Sequence, residues 1–255
     1  MTGAALLDDR ATFVRQVRRA AMARATRAIA EPLVVVGLGF WVVVGLAGVV
    51  VPQIVDRAGN QMDTGVLGTG GYSARWFAFA LGLIMVATIA PNHVAAGGTR
   101  RSLFRGSLLA AAVGGVFNGL AYAVAKLAER SYFDALGWTW EAPEFLVFGG
   151  RSGFTLTVVA AGLAIAAYVL VGIAVAIGYL HHGPWRGTLL LVPNAAVLAL
   201  AEVATRTERF LEPLGPELTG AAAVAVTLVA TSAVVVIAAG WLRLNLRTLP
   251  IRPSR

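Results

Sequence analysis

The stretch HVAAGGTRRSLFRG, His93 to Gly106, packs three arginines into six residues between two long apolar runs. A guanidinium keeps its charge and binds phosphate or carboxylate through two parallel hydrogen bonds. Arg100, Arg101 and Arg105 are therefore suited to phosphate headgroups or to a partner protein. Gly97 and Gly98 can end the helix before them, and Thr99 or Ser102 can cap the helix after them. On spacing alone the stretch reads as an ordinary basic turn between two membrane helices.

The remaining polar residues narrow the chemistry. A phosphate-cradling loop needs Gly-x-x-x-x-Gly-Lys-Ser/Thr, and the only lysine, Lys126, follows Ala125. ATP hydrolysis is thus not expected of this chain. His181 and His182 are adjacent, which puts them on different helix faces and makes a poor metal pair unless the helix has ended there, while His93 stands alone. There is no cysteine, no HExxH and no Gly-x-Ser-x-Gly or Ser-Lys constellation. No catalytic, cofactor-binding or metal-binding residue is expected. Lys126 and Glu202 fall near the outer ends of apolar runs, where long side chains reach water. Asn118 lies deeper, beside Gly115 and Gly119, whose GxxxG spacing permits close helix packing, within the chain more readily than between chains. Pro193 and Asn194 interrupt an apolar run. Asn118, Pro193 and Asn194 are candidates for a translocation path, because broken helices line transport sites; a tolerated kink explains Pro193 equally well.

These residues need elements to hold them. Of the 255 residues 58% are apolar and 13% charged, about half the charge of an average soluble domain, and the mean hydropathy is +0.74. Several apolar runs reach the ~20 residues that cross a bilayer as a helix. Strand-like alternation is absent, so the spans are helical. The expectation is an all-α polytopic membrane protein with six transmembrane helices: Pro32–Pro52, Arg75–Gly97, Ser102 to about Lys126, Gly153–Leu180, Gly187–Thr205 and about Leu218–Leu242. Residues 1–31 are expected to form a cytoplasmic amphipathic helix lying at the interface, capped by Asp8 or Asp9, with a solvated basic flank as the alternative. Residues 32–243 are the transmembrane domain and 244–255 a basic cytoplasmic tail. The first run is read as a retained helix rather than a signal peptide. The segment 127–152 is read as an outer loop with room for a short interfacial helix.

Arginine and lysine set the orientation. One side collects the six arginines from Arg10 to Arg27 together with Arg100, Arg101, Arg105, Arg186, Arg243, Arg247, Arg252 and Arg255. The other side, with Arg57, Arg75, Lys126, Arg130, Arg151, Arg206 and Arg209, holds about half as many. Both termini are accordingly expected in the cytoplasm. The net charge of +8 records this topology and does not argue for nucleic acid.

A span, a small-residue break, TRRSLFRG and a Gly/Ala-rich span resemble the permease subunits of ABC-2-type transporters, particularly actinobacterial-like ones. The motif residues are Thr99, Arg100, Arg101, Phe104 and Gly106. The six-span layout, the basic N-terminal helix and the short fourth-to-fifth loop share the resemblance. It implies that the turn from Thr99 to Arg105, including Ser102, couples the chain to an ATP-binding cassette ATPase, which would bind the ATP. It also implies a second permease chain, identical or related, the bacterial inner membrane as location, and export of a lipophilic or amphipathic compound. The departure from the family is PNHVAAGG, unusually small before the turn. Two other readings stand beside it. One is a membrane scaffold, sensor or immunity protein that does not transport. The other, weaker, is a secondary carrier, which would need a buried coupling carboxylate.

Overall fold

The computed structural model describes residues 3–141, 150–206 and 221–248, and every regular element among them is a helix. They are α1 (Gly3–Arg57), α2 (Leu67–Ala95), α3 (Arg100–Leu136), α4 (Gly150–Leu189), α5 (Leu191–Thr205) and α6 (Ala221–Thr248). By length and composition α1, α2, α3, α4 and α6 can each cross a membrane, and α5 is a shorter apolar helix. The chain therefore has the build of a multi-pass membrane protein.

α4 is the core. Its most apolar window is 83% buried, against 11% for α1, whose Val35, Leu38, Val42, Val43 and Leu46 lie on the outside of the bundle. Only small residues allow neighbours to approach α4 so closely. A Cβ at Gly119 would sit 2.3 Å from the Val158 carbonyl oxygen, and one at Gly115 would sit 2.5 Å from that of Gly162. On the α2 side, a Cβ at Gly82 would lie 2.7 Å from the Val169 carbonyl oxygen. Without a hydrophobic force between helices in lipid, this backbone-to-backbone packing holds the bundle together.

Several boundaries move. The N-terminal segment is helical, as its alanines suggest, but it does not end before Pro32. α1 runs 55 residues with Pro32 and Pro52 inside it, roughly 80 Å of helix. Proline removes one helical hydrogen bond, but Ala25, Ile29, Ala30 and Leu33 are buried on either side of Pro32 and hold the helix together. Asp8 and Asp9 consequently lie within α1 rather than at its cap. α2 begins eight residues before the expected Arg75, because the Glu129 carboxylate on α3 accepts the Leu67 N–H at 2.9 Å. A carboxylate at a helix N-terminus is favoured by the orphan N–H groups there. α3 continues ten residues past Lys126 and ends in a left-handed Gly137, with Trp138 N–H donating to the Phe133 carbonyl. The remainder of the expected outer loop, 142–149, lies outside the described residues, as do 218–220 and 249–255.

The α4–α5 region is a hairpin. Gly183 (φ 73°) breaks α4 and Pro184 restarts it, the residue preferred at a first helical position. The returning arm packs closely, since a Cβ at Gly187 would meet the Tyr179 ring at 2.7 Å. A single turn at Leu190 then precedes α5. Its cause is Pro193, which has no N–H for the Leu189 carbonyl one turn earlier.

Candidate functional site

The turn from Thr99 to Arg105 is tied down by local hydrogen bonds. Gly97 (φ 75°) closes α2, with its N–H on the Val94 carbonyl and that of Gly98 on the His93 carbonyl. Thr99 then caps α3 reciprocally with Ser102. Ser102 N–H donates to Thr99 Oγ1 at 3.1 Å, and Thr99 N–H donates to Ser102 Oγ at 3.0 Å. His93 Nε2 lies 2.9 Å from the same Ser102 Oγ and ties the end of α2 to the start of α3. Arg100 Nη1 donates to the Arg247 carbonyl at 3.0 Å, which satisfies an orphan acceptor near the end of α6.

Two cavities flank this turn, and Arg101 and Arg105 line both. The first, about 440 Å³, also takes Arg15, Arg18 and Arg19 from α1. α1 reaches the turn because Gly106 leaves room: a Cβ there would be 2.7 Å from Ala25 Cβ. The second, about 580 Å³, lies between α3 and α6 and includes half-buried Phe104. The tertiary structure thus gathers basic residues from α1, α3 and α6 around one turn.

The other sequence candidates lie elsewhere. Gly115 and Gly119 are in the α3–α4 contact. Asn118 is buried there, accepting the Trp41 indole N–H at 2.9 Å and donating to the Gly114 carbonyl at 2.8 Å. Asn194 repeats the arrangement, with its Oδ1 taking the Trp241 indole N–H at 3.1 Å and its Nδ2 donating back to the Leu190 carbonyl. Each Asn–Trp pair latches two helices: α1 to α3, and α5 to α6. These asparagines and Pro193 are not brought together with the basic turn. His181 and His182 have ring centres 4.0 Å apart. No group of three His, Cys, Asp or Glu suited to a metal occurs among the described residues.

One cluster escapes the sequence reading. Arg75 is 2% exposed, and its Nη1 donates to Glu202 Oε1 at 2.8 Å and to Thr205 Oγ1 at 3.3 Å. The Tyr168 hydroxyl donates to the same Glu202 oxygen, and Arg206 Nε stands 3.8 Å from the other. Sequence reasoning puts Arg75 in a flank and lets Glu202 reach water. Instead α2, α4 and α5 close around them. The available signal is two opposite charges at similar depth in two apolar runs, where ionisable groups normally pair.

No protein-family model, curated protein or solved structure matches the chain. Its function therefore has to be argued from the basic turn and its surroundings.

Proposed function

We propose that this chain is the permease subunit of an ABC-2-type exporter. It would have six spans, with Gly187–Thr205 as the fifth, and cytoplasmic termini in a bacterial inner membrane. The observation that carries the reading is the doubly capped turn at Thr99–Ser102, which projects Arg100, Arg101, Phe104 and Arg105 beside the basic half of α1. A separate ATPase dimer docks there and supplies ATP hydrolysis. Its closure pushes on a turn with little local freedom. α3 passes the displacement to α4 through the Gly115–Gly162 and Gly119–Val158 contacts, because close-packed helices move as bodies rather than deforming. A second permease chain completes the pathway, and an amphipathic or lipophilic compound leaves between the helices.

The test is affinity purification of the tagged chain in mild detergent from its native host. A P-loop ATPase in near-equal amount is expected. Arg100→Glu with Arg101→Glu should abolish that co-purification while leaving the thermal unfolding of the chain in place. Normal co-purification of the double variant removes these residues from docking, and the absence of any ATPase from the wild-type sample removes the exporter. A non-transporting scaffold, sensor or immunity protein is the second reading. The latched asparagines favour it, since Asn118 and Asn194 spend their side-chain bonds inside the bundle rather than along a passage.

A further inference from the structure

The α3–α6 cavity has a chemistry of its own. On α3, Arg101 and Arg105 form an i, i+4 pair with Arg100 beside them at the helix start, and on α6 Arg243 and Arg247 form an i, i+4 pair that lines the same cavity. No described acidic residue lines the cavity. Five arginines line this cavity of about 580 Å³, and their like charges repel unless an anion lies among them. Arg100 Nε is buried with no hydrogen-bond partner, although its Nη1 is held by the Arg247 carbonyl.

The rest of the lining is apolar. Phe104 and Leu108 continue the α3 stripe away from the arginines, and Leu246 faces them from α6. The arginines stand at the N-terminal end of α3 and the C-terminal end of α6, both helices long and apolar enough to cross a membrane. The cleft is therefore charged at headgroup level and greasy along the spans. A soluble anion would satisfy the arginines and leave the apolar wall wet. An acidic protein surface could neutralise the charge from outside without entering between the helices.

We propose that this cleft binds one anionic phospholipid. Its phosphodiester sits among the arginines of α3 and α6, and an acyl chain lies along Phe104 and Leu108. A zwitterionic lipid offers the same phosphate, but its attached cation meets five positive charges and is disfavoured. The lipid fills the joint between the basic turn and the end of α6, so it fixes how the two helices sit together. The inference needs only that α3 and α6 cross a bilayer and does not rest on the exporter reading.

Native mass spectrometry on the full chain, purified in a neutral detergent, tests it by titration with phosphatidylglycerol and with phosphatidylcholine of the same acyl length. The first phosphatidylglycerol should bind about tenfold more tightly than phosphatidylcholine, because both present the phosphate and only phosphatidylcholine brings a cation to the arginines. Arg243→Gln with Arg247→Gln should remove that preference; the Arg247 carbonyl that holds Arg100 is backbone and survives. Arg18→Gln with Arg19→Gln, an equal loss of charge at the other cavity, should leave it within about twofold. Both variants should unfold at the wild-type temperature, which separates lost binding from lost structure. Millimolar inorganic phosphate should not displace the lipid. Displacement would make the cleft a soluble-anion site, and equal loss in both variants would make the binding general surface charge. Absence of a phosphatidylglycerol preference, with no competition by phosphate, would leave the cleft to an acidic protein. Each of these results overturns the proposal.

Discussion

Near one end of the bundle a single arginine is buried with a carboxylate; at the other, five arginines share a cavity that no described acidic residue lines. About twenty residues of α2, roughly 30 Å of helix, lie between Arg75 and Ala95, the helix end that precedes the basic turn. The same side chain serves opposite ends. Arg75 binds α2 to α5 inside the protein, with its charge answered by Glu202. Among the described residues no carboxylate answers the arginines of the turn. A paired, buried charge organises structure, and a cluster with no described counter-charge is the part of the molecule suited to contact.

Substitutions can break this contrast. The largest effect is expected from Glu202→Ala, which leaves Arg75 without its carboxylate and should lower stability by about 3 kcal/mol, read as a fall in the unfolding temperature in detergent. Arg75→Met combined with Glu202→Leu should recover much of that loss, because an apolar pair often replaces a buried ion pair at little penalty. If the double variant is as unstable as the single one, the pair has a role beyond packing.

Next comes Gly119→Val. Its side chain would meet the Val158 backbone, and overpacking of this kind costs about 1–3 kcal/mol; a variant as stable as wild type would place α3 and α4 further apart. Trp241→Phe should cost about 1 kcal/mol, since it leaves Asn194 Oδ1 without the indole donor in a buried site. Adding Asn194→Leu should restore part of the loss, and a double-mutant cycle measures the coupling. The smallest effect belongs to the basic end. Arg243→Gln with Arg247→Gln should change stability by less than about 0.5 kcal/mol while removing lipid selectivity. A large destabilisation there would erase the difference between the two ends.

The legible parts of the sequence are those whose physics is local. The Thr99–Ser102 cap depends on residues three apart, and Gly97 and Gly98 on the conformational freedom of glycine. The helical spans follow from the length of their apolar runs, since lipid leaves no other way to pair the backbone. GxxxG spacing marks Gly115 and Gly119 as a packing face, although not that Gly162 is the backbone they meet. Hydropathy misplaces helix ends because polar residues also continue helices: α3 carries Lys126, Glu129 and Asp134 well past its apolar run.

Composition and spacing by themselves determined that the chain is helical, apolar enough for a membrane, rich in arginine, and without the residues of a phosphate-binding loop. Tertiary structure decided the rest. It carried α1 through Pro32, because residues buried on both sides of the proline outweigh one lost hydrogen bond. It joined Arg75 to Glu202 across 127 positions and Trp41 to Asn118 across 77, pairings that no local rule encodes. It also brought α1, α3 and α6 together at the turn, where arginines that read separately as flanks become the walls of two shared cavities. The reason is common to all three: an isolated buried polar or charged group in an apolar interior is costly, so the partner is dictated by whichever helix the packing brings near, and packing is a property of the whole chain.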